Sequence, residues 1–281
     1  MSTPAPPASK LRGIDKDGRE VPLSLGVRRV NPVVAALTSV AGAVGLVLVW
    51  QLVVTALSVP TYIVPAPTDV VTSLVDDFDL LVSNLWPTAL ESVSGFVIGN
   101  VVAIVLAVVF VHNASLERSL FPVAIVIRTV PIVAIAPVLV LMLGNGYAPK
   151  IAIAALISFF PTLVNMVRGF HSADAQAIEL FRVLSASKWE IFWKVRAYSS
   201  LPFLFSSLKI AATSSVIGAI VAEWIGANAG LGALIIDATF NFRTPLLYST
   251  MVFASVLALA FFLLITLVER WVVTWEVEVA P

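Results

Sequence analysis

Apolar residues in this chain run in long stretches, and the polar residues gather between them. Val33 to Leu57 contains no charged residue. A helix rises 1.5 Å per residue, so about 20 apolar residues cross the roughly 30 Å hydrocarbon layer of a bilayer. This stretch therefore reads as a first membrane span. Further spans are expected at Glu91 to Val111, Phe121 to Leu143, Ile151 to Val167, Phe203 to Ile225 and Tyr248 to Val268. The third carries Arg128, Pro131 and Pro137, and the fourth carries Pro161. Gly144 to Pro149 reads as a turn, and Asn228 to Pro245 as a Gly-containing loop with a short helix. Met1 to Arg29 has no apolar period and reads as a mobile tail, leaving residues 30–281 as one transmembrane domain. The expected fold class is all-α: a polytopic membrane protein with six transmembrane helices.

The polar segment from Arg168 to Pro202 is the longest interruption. Asp174 can accept bonds from the free N–H groups of a helix beginning at Ala175. Ser187 and Glu190 have the S-x-x-E spacing of a capping box for a second helix. The first helix would place Ile178, Phe181 and Leu184 along one face. The second would gather Trp189, Phe192 and Trp193 at i, i+3 and i+4. A short linker follows Arg196, before Leu201 and Pro202. Two amphipathic helices of this kind either anchor at the bilayer interface through tryptophan or form a docking surface for a partner. With the N-terminus in the cytoplasm, about 13 Lys and Arg residues fall on the cytoplasmic side, against about two outside. The polar segment and both termini are then cytoplasmic.

Charged residues make up 12% of the chain, against about 25% in soluble domains, which supports an integral membrane protein. Lys+Arg and Asp+Glu both number 17, so net charge gives no reason to expect a nucleic-acid partner. There is no cysteine, and His112 and His171 alone make no metal motif. Lys209 and Glu223 are ionisable groups in apolar runs. Such groups face a bundle interior or a water cavity. Glu223 is therefore a candidate for the substrate path, with Gly226 beside it; the other reading is a helix-end carboxylate paired internally. Arg128, seven residues into its span, is expected to snorkel to the surface. No phosphate-binding loop is present. Three functions suit a chain of this kind: a transport permease powered by a separate ATPase, a membrane-embedded enzyme, and a secondary transporter. An enzyme would need clustered polar residues, and Lys209 and Glu223 lie about 21 Å apart along a helix. A secondary transporter would usually show an internal repeat with broken helices, and none is visible. A neighbouring subunit with a G-x(4)-G-K-[ST] loop would decide for the first.

The residues from Glu179 to Ser187, followed by Leu201-Pro202, resemble the cytoplasmic "EAA" segment of the membrane-spanning permeases of binding-protein-dependent ABC importers. Within that family the chain looks like the aliphatic sulfonate, nitrate and taurine group. Pro65-Ala66-Pro67-Thr68-Asp69, Arg128-Thr129-Val130-Pro131, Glu223-Trp224-Ile225-Gly226 and Gly230-Leu231-Gly232 add to the resemblance in the same order. Leu180-Phe181 stands where that pattern has two alanines, and Ser185 where it has a glycine that permits a left-handed turn. The resemblance implies the type I importer permease fold and makes residues 168–202 a coupling segment. Glu179, Phe181, Arg182, Ser185, Ala186, Trp189, Phe192 and Trp193 would then form its ATPase-coupling interface. It further implies a second copy of the chain, two ATPase subunits holding ATP and Mg, and an extracytoplasmic solute-binding protein. The location would be a bacterial plasma membrane, and the chain itself would carry no cofactor or metal. The substrate would be a small solute: a sulfonate, nitrate or taurine-like anion, or a pyrimidine or vitamin precursor.

Overall fold

The structure, a computed structural model, describes residues 12–14, 20–22 and 32–274. Most of the expected tail lies outside these residues. Its described part is a ribbon in which β1 (Arg12–Ile14) pairs antiparallel with β2 (Glu20–Pro22). Described residues up to Leu52 form one unit and those from Val53 onward a second. Helix α1 (Pro32–Ala56) opens on a proline, whose missing N–H goes unused in a first turn. Its Leu37–Ala56 portion is long and apolar enough to cross a membrane.

In the second unit, α2 (Pro67–Asp76) also starts on proline, and the Asp69 carboxylate accepts the Ala66 N–H at 3.0 Å. Asp77 alone separates it from α3 (Phe78–His112), so the helix of the second span begins at Phe78, ahead of the expected Glu91. The expected third span is broken. Helix α4 (Ala114–Arg128) and α5 (Ile132–Leu143) meet at 98°. Pro131 accounts for the break: it has no N–H to donate, its ring clashes with a helical carbonyl four residues back, and it biases Val130 away from helical dihedrals. Helix α6 (Tyr147–His171) follows, then α7 (Ala175–Val183) and α8 (Lys188–Ile191). A π-helical turn, Phe192–Arg196, joins α8 to α9 (Ala197–Glu223) with no linker, contrary to the sequence expectation. Pro202 sits inside α9. Helices α10 (Leu231–Phe240) and α11 (Thr244–Val272) complete the described chain. Among the described residues, five helices could cross a membrane, or six if the bent α4–α5 pair is one span.

Helices α3, α6 and α9 form the centre. Small residues let them approach, as is usual where lipid removes the hydrophobic drive between helices. A Cβ on Gly95 would sit 2.5 Å from that of Ala154, and one on Gly99 would overlap the Ala155 carbonyl. Thr162 of α6 donates a buried hydrogen bond to Asn100 of α3. Below it, Ala103, Ala107 and Phe110 of α3 pack on Leu163, Met166, Val167 and Phe170 of α6 and on Phe192. Helix α11 exposes Met251, Val252, Val256, Leu259 and Leu263. Such a continuous apolar surface needs lipid or a subunit against it.

Arg128, expected to snorkel, is exposed in the single chain but lies far from either end of α6. It lies at the α4–α5 break beside Leu156 to Pro161, the middle of α6, and near Ile210 and Ser214 of α9. That is ~18 Å of helix from either end of α6, beyond the reach of one side chain.

Candidate coupling surface and buried charge cluster

The polar segment folds as two capped helices at one end of the bundle. The Asp174 carboxylate accepts the Gln176 N–H at 3.0 Å and starts α7. Ser187 and Glu190 close a reciprocal capping box at 2.8 and 3.2 Å and start α8. Between them Ser185 holds φ at 57°, and the Ala186 N–H reaches the Phe181 carbonyl at 2.9 Å. The left-handed turn that glycine would permit is thus kept by serine, against a steric cost of about 1 kcal/mol.

Helix α7 exposes Leu180, Val183 and Leu184, with Glu179 and Arg182 beside them; Ile178 and Phe181 are half-buried, as is Ala186. The apolar face presented outward is therefore one residue round from the expected one, and it includes Leu180. On the second helix, Trp189 and Trp193 are 57% and 66% exposed, while Phe192 is 3% exposed. Phe192 is corrected from interface to core. The π turn directs it inward, onto Phe170 at 5.2 Å between ring centroids and onto His112 at 5.0 Å. The His112 ring also stacks on Trp189 at 4.9 Å, so the end of α3 is clamped to α8.

A second polar site lies toward the other end. Glu223, the last residue of α9, is 1% exposed. Its Oε1 accepts the Thr88 hydroxyl at 2.6 Å, and its Oε2 accepts the Gly232 N–H at 2.5 Å. Thr88 in turn accepts the Leu231 N–H at 2.8 Å, and Asn84 accepts the Gly230 N–H at 2.9 Å. Side chains of α3 and α9 thereby satisfy the orphan donors that begin α10, and a carboxylate faces the positive end of its dipole. Gly230 and Gly232 are required, because a Cβ on Gly230 would fall on the Glu223 carboxylate and one on Gly232 on the Ile220 carbonyl. Of the two readings of Glu223, this geometry is the internally paired one, since both oxygens are engaged and neither is open to a solute. Gly226, at φ 74°, is a turn residue against Asn145.

Beside Glu223 lies Glu91 of α3, fully buried, with Lys150 of α6 at 3.5 Å from Oε1. Neither Glu91 oxygen accepts a hydrogen bond. Lys150 is 7% exposed and also approaches the Tyr147 ring at 5.8 Å. Sequence reasoning missed this pair. It took Glu91 as the start of one span and left Lys150 just ahead of another, and the ionisable residues do cluster after all. Lys209, by contrast, pairs with Glu269 of α11 at 2.8 Å. No group of three or more His, Cys, Asp or Glu with metal-holding geometry occurs among the described residues.

A family model described as "Binding-protein-dependent transport system inner membrane component" matches residues 99–275. The chain is 31% identical to the formylaminopyrimidine transport permease protein of Halalkalibacterium halodurans over 82% of this chain and 92% of that protein. It is 32% identical to the riboflavin transport system permease protein of Chloroflexus aurantiacus, over 82% and 87%. With the putative aliphatic sulfonates transport permease protein of Bacillus subtilis it shares 25% identity over 82% and 84%. Its fold matches a chain of the MetNI methionine ABC transporter in an inward-facing conformation. The TM-score is 0.61 at 21% identity, over 70% of this chain and 98% of that one.

Proposed function

The chain belongs to the inner-membrane components of binding-protein-dependent transport systems, and from that premise we propose that two copies of it line one solute path, with two ATPase subunits docked on α7 and α8. It is the permease subunit of an ABC importer, a multi-pass membrane protein and not itself an enzyme. Its family works with ATPase subunits and a binding protein. In the proposed assembly, ATP and Mg are held by the ATPase subunits and this chain carries no cofactor. The membrane is a bacterial plasma membrane. The α4–α5 pair counts as one span, so both termini are cytoplasmic, and the extracytoplasmic binding protein delivers a small solute to the opposite face. The names of the relatives put formylaminopyrimidine, riboflavin and aliphatic sulfonates among the substrates to be tried first.

One observation carries the docking surface. Leu180, Val183, Leu184, Trp189 and Trp193 are exposed together on a segment joined to α9 without a linker. Aromatic residues ringed by polar neighbours are typical anchors of interface centres. Closure of the ATPase dimer would move α8, and α9 would turn with it. The test is retention of the partner ATPase by purified permease. Trp189→Ala combined with Leu180→Ala is expected to weaken retention about thirtyfold, the equivalent of about 2 kcal/mol, while insertion is unchanged. Normal retention by this double variant would assign the tryptophans to the bilayer interface instead.

A further inference from the structure

The α4–α5 break opens on a cleft of about 460 Å³, and we infer that this cleft receives an anionic group of the transported solute, with Arg128 as its counter-ion. The inference rests on the permease reading above and adds the charge of what is carried. The cleft lies between Ile127–Ile132 and the middles of α6 and α9, and no acidic residue lines it. Arg128 has no ion pair or hydrogen bond among the described residues. Ser214 on the opposite wall likewise has a hydroxyl without a partner, whereas Thr213 and Ser215 bond back to their own helix.

Arg128 is exposed in the single chain, and an arginine at mid-depth of the helices cannot rest against lipid. Ionisable groups at that depth face a water-filled path or a partner charge. Two other cations set along the spans each have a carboxylate: Lys150 has Glu91, and Lys209 has Glu269. Arg128 has none, so its guanidinium is left for water and for whatever crosses. Its planar fork matches a carboxylate, sulfonate or phosphate in two parallel bonds. The start of α5, which has no side-chain cap, adds partial positive charge on the same side of the cleft. Apolar walls from Ile135, Leu156, Ile157, Phe160 and Ile210 suit a short carbon skeleton behind the anion.

The test uses permease, ATPase and binding protein reconstituted together in liposomes. The chain has no cysteine, so Ser214→Cys places a single thiol on the cleft wall. Its reaction rates with an anionic and a cationic methanethiosulfonate of similar size are each divided by the rate with a free thiol in solution. The anionic reagent is expected to be favoured by about tenfold in at least one nucleotide state. Adding Arg128→Gln brings the ratio close to one, and Arg128→Lys preserves the preference. A ratio near one with Arg128 present, or one unmoved by Arg128→Gln, overturns the inference. So does a thiol that reacts in no nucleotide state. Stimulation of the wild-type complex's ATPase by its binding protein is measured in parallel and tests the permease reading separately.

Discussion

Removing Lys150 strands a carboxylate in the bundle. Glu91 is fully buried, neither of its oxygens accepts a hydrogen bond, and its one opposite charge is the ammonium at 3.5 Å. At that separation and an effective dielectric of about 20, the attraction between two full charges is at most roughly 4 to 5 kcal/mol, and the Glu223 carboxyl beside Glu91 reduces it. Losing one member of such a pair typically costs about 3 kcal/mol or more, because the other remains buried and uncompensated. Lys150→Met is therefore expected to destabilise the chain by about 3 kcal/mol. Glu91→Gln should cost less, about 1 to 2 kcal/mol, because Lys150 lies in the first turn of α6 and can turn its head toward solvent. The double variant should regain about 2 kcal/mol over the sum of the singles, since no charge is then left alone. Reversible unfolding in mixed micelles, followed by the fluorescence of the chain's tryptophans, supplies all three values. If the two effects add to within about 0.5 kcal/mol, the pair does not interact and the reasoning is refuted.

Ser185→Gly should raise stability by about 1 kcal/mol in the same assay without reducing ATPase retention, because the residue holds a left-handed φ that glycine adopts freely; an unchanged midpoint would count against that turn. Glu223→Gln should cost about 1 to 2 kcal/mol, through the lost charge at the start of α10 and a weaker bond to Gly232; a loss of transport at unchanged stability would return Glu223 to the solute path. Asp76→Cys and Val183→Cys, both exposed, should be labelled from opposite sides by an impermeant thiol reagent, and labelling from the same side would reject the six-span topology.

Features set by local chemistry could be read from the sequence. The apolar runs became helices because length alone fills a bilayer, and Asp174, Ser187 and Glu190 capped the helices their spacing implied. The family followed from short segments in order. What could not be read depends on neighbours distant in the chain. Glu91 and Lys150 each sit at the edge of an apolar run, where sequence cannot separate a solvated charge from one turned inward. Phe192 shares a helical face with Trp189 on paper, yet the π turn and the Phe170 and His112 rings draw it into the core. Leu201-Pro202 looked like the end of a linker. In a membrane helix, however, neighbouring groups re-satisfy the carbonyl that a proline leaves free, so α9 runs through it.

That continuity bears on how a displacement at the proposed docking face would be transmitted. A linker at Ala197 to Ser200 would have absorbed it. Instead α8, the π turn and α9 form one helix, and α9 alone is about 40 Å long. Movement of Trp189 would reach α9 directly and, through the His112 stack, the end of α3. At the far end the same two helices are tied by Thr88 and Glu223. Helices pinned together at both ends cannot slide apart, so the motion left to them is a joint tilt against their surroundings. Ile210 and Ser214 lie at the middle of α9, opposite a helix break that has no such ties. Tilting α9 would therefore change the width of the cleft at Arg128 while the two pinned ends keep their contacts, and a solute held there as proposed would meet the moving wall first.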